Sequence, residues 1–254
     1  MYTDTHCHIL STEYDNPEEI LKSLSTNNIK RIIINGYNLE SNQEVIRLIS
    51  KYDNVYGALG LHPDNINEES NCIKFIEENI KNPKIIAIGE IGLDYYHNKE
   101  NKQEQIKLLE SQLSLGEKYN LPVIIHNREA TDDLIKVLKK YHVKGIIHCF
   151  NGSYETAQIF LKMGYKLGIG GIITFKSCKL KEVTAKLPKN SFFLETDAPY
   201  LTPAPYRGTP NEPKFIKFTA AMLADSLKIT EKELSILLEE NFQKMFFENK
   251  KIVK

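Results

Sequence analysis

The residues best suited to chemistry in this sequence are six histidine and acidic side chains, each near the end of a short apolar segment. Two of them, His6 and His8, stand in the run Asp4-Thr5-His6-Cys7-His8. Alternate side chains of a strand face the same side, so both imidazoles point the same way. The other four are Glu90, His126, His148 and Asp197. A His-x-His pair alone is more often an exposed turn, but six such residues predict one metal site.

Four imidazoles and two carboxylates are more than one tetrahedral zinc ion needs, so they suggest two divalent ions. Two-metal sites, with ions about 3.5–4 Å apart, hydrolyse phosphoesters by activating a water and clamping the attacking and leaving oxygens. We divide the ligands into His6, His8 and Asp197 for one ion, His126 and His148 for the other, and Glu90 as the bridge. Asp197 is also a candidate acceptor for the water's proton. The ligand set permits zinc, manganese or magnesium, and its imidazoles favour the first two.

Strand-like and helix-like segments alternate along the whole chain. The strand-like segments are mostly short, rich in Ile and Val and apolar on both faces, as buried parallel strands are. They are Tyr2–His6, Ile29–Asn35, Val55–Gly60, Ile85–Glu90, Pro122–Asn127, Lys144–Phe150, Tyr165–Gly170 and Phe192–Asp197. A first helix opens at Pro17, and the others are Glu40–Tyr52, Ser70–Lys81, Lys99–Tyr119, Glu129–Tyr141, Tyr154–Met163, Lys179–Leu187, Lys214–Leu227 and Glu231–Glu248.

This alternation predicts an α/β protein, either a closed parallel barrel or a doubly wound open sheet. No G-x-G-x-x-G follows the first strand, which weakens a dinucleotide-binding sheet. Active sites of (β/α)8 TIM barrels lie at the C-terminal ends of the strands. All six candidate ligands stand at or just beyond such ends. We therefore predict a (β/α)8 TIM barrel with one site at one rim.

Length and charge narrow the class of protein. The 254 residues, with no linker or low-complexity segment, predict a single domain over 1–254. The 33 basic residues balance the 33 acidic ones, which argues against coating nucleic acid through net charge. The four cysteines form no C-x-x-C pair. With no signal sequence and no long apolar run, we expect a soluble cytoplasmic protein with no membrane contact and no obligate protein partner.

The ordered motifs resemble those of the TatD-type metal-dependent deoxyribonucleases over nearly the whole length. They are D-T-H-C-H, G-L-H-P at Gly60–Pro63, G-E-I-G-L-D at Gly89–Asp94, the His126 strand, H-C-F at His148–Phe150, E-T-D-A-P-Y-L at Glu195–Leu201 and R-G-x-x-N-E-P at Arg207–Pro213. The resemblance implies a TIM barrel of the metal-dependent hydrolase type. It also implies hydrolysis of DNA phosphodiester bonds, as a 3′–5′ exonuclease on single strands or 3′ ends. It also implies that the six residues chosen above bind the metals.

Further residues have supporting roles in this interpretation. His62 is expected to donate to the scissile phosphate or its leaving group. Glu195 and Asp4 share strand parity with a ligand and are expected to orient histidines, or in the case of Glu195 to bind a third ion. The basic candidates for phosphate binding, considered only as a group, are Arg128, Lys176 and Arg207.

Three other residues near the motifs receive no catalytic role. Asp94 is expected in a loop, where a turn role is at least as plausible as a catalytic one. His97 is expected at the surface. Cys149 adjoins a ligand but, by strand alternation, is expected to point away from it.

Two other classes of function stay open. Related barrels hydrolyse amides, esters or lactones, or deaminate small molecules, and a D-aminoacyl-tRNA deacylase falls in the same class. Such barrels often carry a carbamylated lysine where this chain has Glu90, which favours the phosphodiesterase. The third class is a non-catalytic metal-binding scaffold, which the complete ligand set and His62 argue against.

Overall fold

In the computed structural model, which describes residues 1–248, eight parallel strands lie side by side in chain order. This arrangement confirms the predicted (β/α)8 barrel. The strands are β1 Tyr2–Cys7, β2 Ile29–Asn35, β3 Val55–Leu59, β4 Ile85–Asp94, β5 Val123–Arg128, β6 Gly145–Ile147, β7 Tyr165–Ile169 and β8 Phe192–Leu194.

Helices follow the strands as the alternation predicts. They are α1 Pro17–Lys22, α2 Leu39–Lys51, α3 Glu69–Asn79, α4 Lys102–Tyr119, α5 Thr131–Leu138, α6 Tyr154–Lys162, α7 Leu180–Thr184, α8 Ile216–Ser226 and α9 Glu231–Phe246. Within residues 1–248, none of these helices is both long and apolar enough to cross a membrane.

The barrel closes where β1 meets the segment after β8. The amide of Asp197 donates to the carbonyl of His6 at 2.9 Å, and the amide of His8 donates to the carbonyl of Ala198 at 2.7 Å. The hydroxyl of Thr5 also donates to the carbonyl of Leu194 at 3.0 Å. Closure thus brings the residues after the last strand beside the histidines of the first.

The predicted strand ends are wrong at three places that matter for the site. β4 continues to Asp94 instead of ending at Glu90, because its last residues pair with β5 as far as Arg128. β6 stops at Ile147 and not at Phe150, since the backbone of Cys149 has a positive φ of 47°. β8 stops at Leu194 and not at Asp197. Strand alternation therefore does not apply to the residues beyond β6 and β8.

The last helix, α9, covers the end of the barrel opposite to the proposed ligands. Its Phe242, Met245 and Phe246 are buried in one cluster with apolar side chains of the strands, Ile33, Ala58, Ile86, Ala87, Ile124, Ile146 and Phe193. Asn241 donates to the carbonyl of Phe192 at the start of β8, at 2.9 Å. The guanidinium of Arg31 lies 4.4 Å from the centre of the Phe242 ring. This helix therefore completes the interior of the barrel.

Phe242→Ala should lower the free energy of unfolding by about 3–5 kcal/mol, because it leaves a cavity in a fully buried cluster. Ile236 lies on the same helix but is 53% exposed. Ile236→Ala should therefore change the free energy of unfolding by less than about 0.5 kcal/mol. Urea denaturation followed by circular dichroism measures both. Equal effects would show that α9 does not close the barrel.

Candidate metal centre

The side chain of Glu90 lies at the centre of the site, with imidazoles directed at both of its oxygens. Oε2 is 3.5 Å from Nε2 of His6 and 3.4 Å from Nε2 of His8. Oε1 is 3.0 Å from Nδ1 of His126 and 3.4 Å from Nε2 of His148. The carboxylate therefore stands between two pairs of imidazoles, which is the division that we assigned to two ions.

Asp197 completes the group from the opposite edge. Its Oδ1 lies 3.6 Å from Nε2 of His6 and 3.8 Å from Nε2 of His8. Asp197 reaches this place through a left-handed backbone with a φ of 56°, a conformation uncommon outside glycine. The side chain of Asn211, which is fully buried, donates to the carbonyls of Thr196 and Tyr200 at 2.8 Å and so holds this turn.

Three of the four imidazoles bind an acceptor through the ring nitrogen that faces away from Glu90. The three pairs are His8 with the carbonyl of Asn35 at 2.9 Å, His126 with Asp94 at 3.0 Å and His148 with Glu195 at 3.2 Å. A carbonyl or carboxylate oxygen accepts only, so each of these outer nitrogens carries the proton. In a neutral ring the other nitrogen, which is directed at Glu90, then carries a lone pair that faces a carboxylate oxygen.

Lone pairs and carboxylate oxygens at these distances repel one another unless a positive charge lies between them. Protonated imidazoles or bound cations both satisfy this condition. Nitrogen and oxygen donors with outer hydrogen bonds that orient the rings are the donor set of zinc and manganese sites. The side chains also offer an alternative grouping of His6, His148 and Asp197 around one ion. The residues present therefore form a donor set that can hold a metal ion.

The pKa values of His148 and His126 report the same negative environment, whereas burial and the nearby His148 lower the pKa of His6. Burial alone lowers the pKa of His148, but Glu195, Glu90 and Asp197 outweigh it and raise the pKa to about 10. Burial likewise opposes protonation of His126, yet its bonds to Asp94 and Glu90 raise the pKa to about 9. At His126 and His148 the site thus favours positive charge strongly enough to overcome the cost of burial.

His62 lies beside the cluster in a different protonation state. Burial, followed by the nearby His126, lowers its pKa to about 3, so the ring is neutral at pH 7. Its Nδ1 accepts from the amide of Asp64 at 3.3 Å, which leaves the proton on Nε2. That nitrogen is 4.0 Å from Oε1 of Glu90. His62 is therefore placed as a neutral donor that faces the cavity.

Asp94 is the residue whose importance the sequence analysis missed. We expected it in a loop, but it ends β4, is buried, and bonds the outer nitrogen of His126. Its other oxygen accepts from the amides of Tyr96 and His97 at 2.9 Å. The available signal was parity, since Glu90 and Asp94 share a face of a continuous strand. The sequence analysis did not detect this signal, because it predicted that the strand ends at Glu90.

The two other acidic residues expected to orient histidines are placed differently. Glu195 contacts His148 as expected, and it also accepts from the amide of Cys149. Asp4 contacts no imidazole within the described residues. Its carboxylate accepts from the amides of His6 and Thr196 at 3.2 and 3.0 Å. The hydroxyl of Thr196 donates to the same carboxylate at 2.5 Å, so Asp4 supports the backbone where the barrel closes and does not orient a histidine ring.

The three basic residues do not form one group. Arg128 lines the cavity, with its guanidinium 3.8 Å from the centre of the Tyr96 ring. Arg207 stacks on Phe175 at 3.7 Å, and Lys176 is exposed on the loop after β7. Neither Arg207 nor Lys176 is among the described residues that line the cavity. The structure thus brings only Arg128 to the ligands.

The ligands open into a cavity of about 850 Å³. Cys149 lines it, contrary to the expectation from strand alternation, because β6 ends before this residue. His97, which we expected at the surface, is exposed but also lines the cavity and bonds Asp94 at 2.9 Å. The remaining histidine, His142, is exposed and precedes β6 at the opposite end of the barrel.

The chain is similar to known proteins along nearly its whole length. The profile of a family described as TatD related DNase matches residues 3–247. The chain is 38% identical over 252 residues to the uncharacterized metal-dependent hydrolase YabD of Bacillus subtilis, covering 97% of this chain and 99% of that protein. The crystal structure of YjjV, a TatD homologue from Escherichia coli, superposes with a TM-score of 0.90 at 33% identity, covering 96% and 97%. A TatD family hydrolase from Entamoeba histolytica, at 24% identity, shares the fold with a TM-score of 0.84 over 97% and 98%.

Asp94→Asn should weaken metal binding by about 10–100-fold, because the amide no longer fixes the proton on the outer nitrogen of His126. Competition with a chromogenic chelator at fixed pH measures the affinity. Asp132→Asn, an exposed residue of α5 away from the cavity, is the matched control and should bind as the unaltered protein does. Unchanged affinity in Asp94→Asn would contradict the orienting role.

Proposed function

We propose that this chain, which belongs to the TatD family of metal-dependent hydrolases, is a deoxyribonuclease that cleaves phosphodiester bonds of single-stranded DNA from the 3′ end. The observation that carries the proposal is the position of Glu90 between two pairs of imidazoles. A carboxylate in that position suits a bridge between two cations. The family description, TatD related DNase, supports DNA as the substrate.

The cofactors in this proposal are two divalent ions, with zinc or manganese favoured over magnesium by the imidazoles. One would be held by His6, His8 and Asp197 and the other by His126 and His148, with Glu90 shared. When bound, such ions supply an activated water and neutralise charge on the phosphate. All other parts of the mechanism belong to the residues of the chain.

Asp197 is the residue that we assign to accept the proton of the attacking water. Its side chain is 13% exposed, whereas that of His6 is completely buried. It therefore reaches the cavity from which water enters, while its Oδ1 faces His6 and His8. A carboxylate that contacts both the ligands and the solvent is suitably placed for this transfer.

His62 and Arg128 bind the phosphate in this proposal. The Nε2 proton of His62 faces the cavity beside Glu90 and can donate to the leaving oxygen. Arg128 is held by its stacking on Tyr96, so that its planar donors stay available for phosphate oxygens. Both residues act as donors of hydrogen bonds to the phosphate.

Glu90→Gln should lower kcat/KM on a 3′-labelled single-stranded oligonucleotide by at least about 100-fold, because it removes the charge between the imidazole pairs. Its circular dichroism spectrum should match that of the unaltered protein. Glu78→Gln, at an exposed position of α3, is the control and should retain full activity. Hydrolysis by Glu90→Gln at the rate of the unaltered protein would contradict the mechanism.

Removal of metal should abolish hydrolysis, and added manganese or zinc should restore it. The experiment combines chelator dialysis, elemental analysis and a product ladder on end-labelled single-stranded DNA. A ladder that shortens from the 3′ end supports the proposal. Full activity after verified metal removal contradicts it, and hydrolysis confined to small esters or D-aminoacyl-tRNA would assign the chain to the alternative class.

A further inference from the structure

Glu13 is a cavity-lining carboxylate that the metal centre does not use. It belongs to the loop between β1 and α1, and two tyrosine hydroxyls donate to it. Tyr37 donates to Oε1 at 3.0 Å, and Tyr200 donates to Oε2 at 3.1 Å. All three side chains line the same cavity as the proposed ligands. We call this group the acidic wall.

The acidic wall is built firmly. The amide of Glu13 donates to the carbonyl of Leu10 at 3.0 Å. The next residue, Tyr14, donates its hydroxyl to the carbonyl of the buried Asn211. Two hydroxyls and the backbone therefore fix the position of the Glu13 carboxylate and of its charge.

The charge of Glu13 has no cationic partner. Within residues 1–248 it forms no ion pair with a lysine, arginine or histidine, and its two side-chain partners are neutral hydroxyls. Asp64, another acid that lines the cavity, differs because it lies 3.5 Å from His62 and 3.7 Å from His97. A phosphate brought to the acidic wall would thus meet an uncompensated negative charge.

The opposite wall carries the complementary group. Arg128, which ends β5 and stacks on Tyr96, is the one lysine or arginine among the described residues that line the cavity. A strand that passed through the cavity would place a phosphate on each side of the ligands. Only the side of Arg128 offers a cation, so a strand can continue on that side and must end on the other.

The acidic wall lies next to the ligands. The ring of His8 is 5.4 Å from that of Tyr37 and 6.3 Å from that of Tyr200, measured between centres. Each oxygen of Glu13 accepts one tyrosine hydroxyl, and a carboxylate can accept about four hydrogen bonds in all. The wall can therefore accept a donor from the sugar that neighbours the reacting phosphate, while Tyr200, 51% exposed, offers its ring to the base.

We infer that Glu13 recognises the end of the substrate strand: it accepts a hydrogen bond from the terminal 3′-hydroxyl and repels a phosphate in the same place. This inference rests on the proposed function. It assigns to the acidic wall the selection of chain ends over internal nucleotides, whereas the metal centre performs the hydrolysis.

The test compares two single-stranded oligonucleotides that differ only in a 3′-hydroxyl or a 3′-phosphate, cleaved by the metal-loaded enzyme. The unaltered protein should prefer the hydroxyl by roughly tenfold or more in kcat/KM, because one charge repulsion separates the two. Glu13→Gln should reduce this ratio to about one or two, since it keeps the shape and removes the charge. Glu13→Asp should retain the preference, and the exposed Glu19→Gln on α1 should behave as the unaltered protein.

A binding measurement without turnover complements the rates. A deoxynucleoside 5′-monophosphate should raise the melting temperature of the metal-loaded protein more than the corresponding 3′,5′-bisphosphate. Glu13→Gln should remove this difference. The two ligands carry the same base and sugar, so the comparison isolates the group placed at the acidic wall.

The outcomes separate this inference from the proposed function. If both oligonucleotides are cleaved at the same rate, or if Glu13→Gln keeps the full preference, the inference about Glu13 is wrong. The proposed deoxyribonuclease function is unaffected by either result. The inference is also wrong if Glu13→Gln changes the preference among bases and not that between 3′ groups. If the metal-loaded protein cleaves neither oligonucleotide, both proposals fall.

Discussion

The repulsion among buried donor atoms around Glu90 is the constraint on which the rest of the site depends. The inner ring nitrogens of His8, His126 and His148 lie 3.0–3.4 Å from oxygens of Glu90, and neutral rings would direct lone pairs at these oxygens. Such a cluster persists in a folded protein only when positive charge neutralises it. The outer hydrogen bonds matter because they fix which nitrogen of each ring carries the proton. Metal affinity and ring orientation are therefore set by the same few contacts.

At the rim that carries the proposed ligands, the strands of the barrel end irregularly, and these ends position the ligand side chains. The positive φ values of Cys149 and Asp197 turn the backbone where β6 and β8 end. Buried Asp4 and Asn211 then satisfy backbone groups that the shortened strands leave open near the closure. The opposite end is apolar and covered by α9. Stability thus comes mainly from one end of the barrel and from its core, while the strained and polar backbone is concentrated at the other.

The cavity is electrostatically uneven, which links the fold to the choice of substrate. Loops after β1, β2 and β8 provide Glu13 and its tyrosines, whereas the last residue of β5 is Arg128. These loops follow different strands, so one wall can change its charge without moving the metal ligands. The net charge of zero conceals this arrangement, because the charges that meet the substrate are a small share of the total.

The sequence by itself determined the class of fold and the six residues that meet at one rim of the barrel. Apolar periodicity reports burial along a strand, and the C-terminal ends of parallel strands in a barrel share one rim. Only the tertiary structure decided that Asp94 orients His126, that Asp4 bonds the backbone, and that Arg207 and Lys176 lie away from the cavity. It also decided the pairing of Glu13 with two tyrosines from distant loops. The reason is that such contacts depend on where strands end and how loops turn, and hydrophobic periodicity carries no information about either.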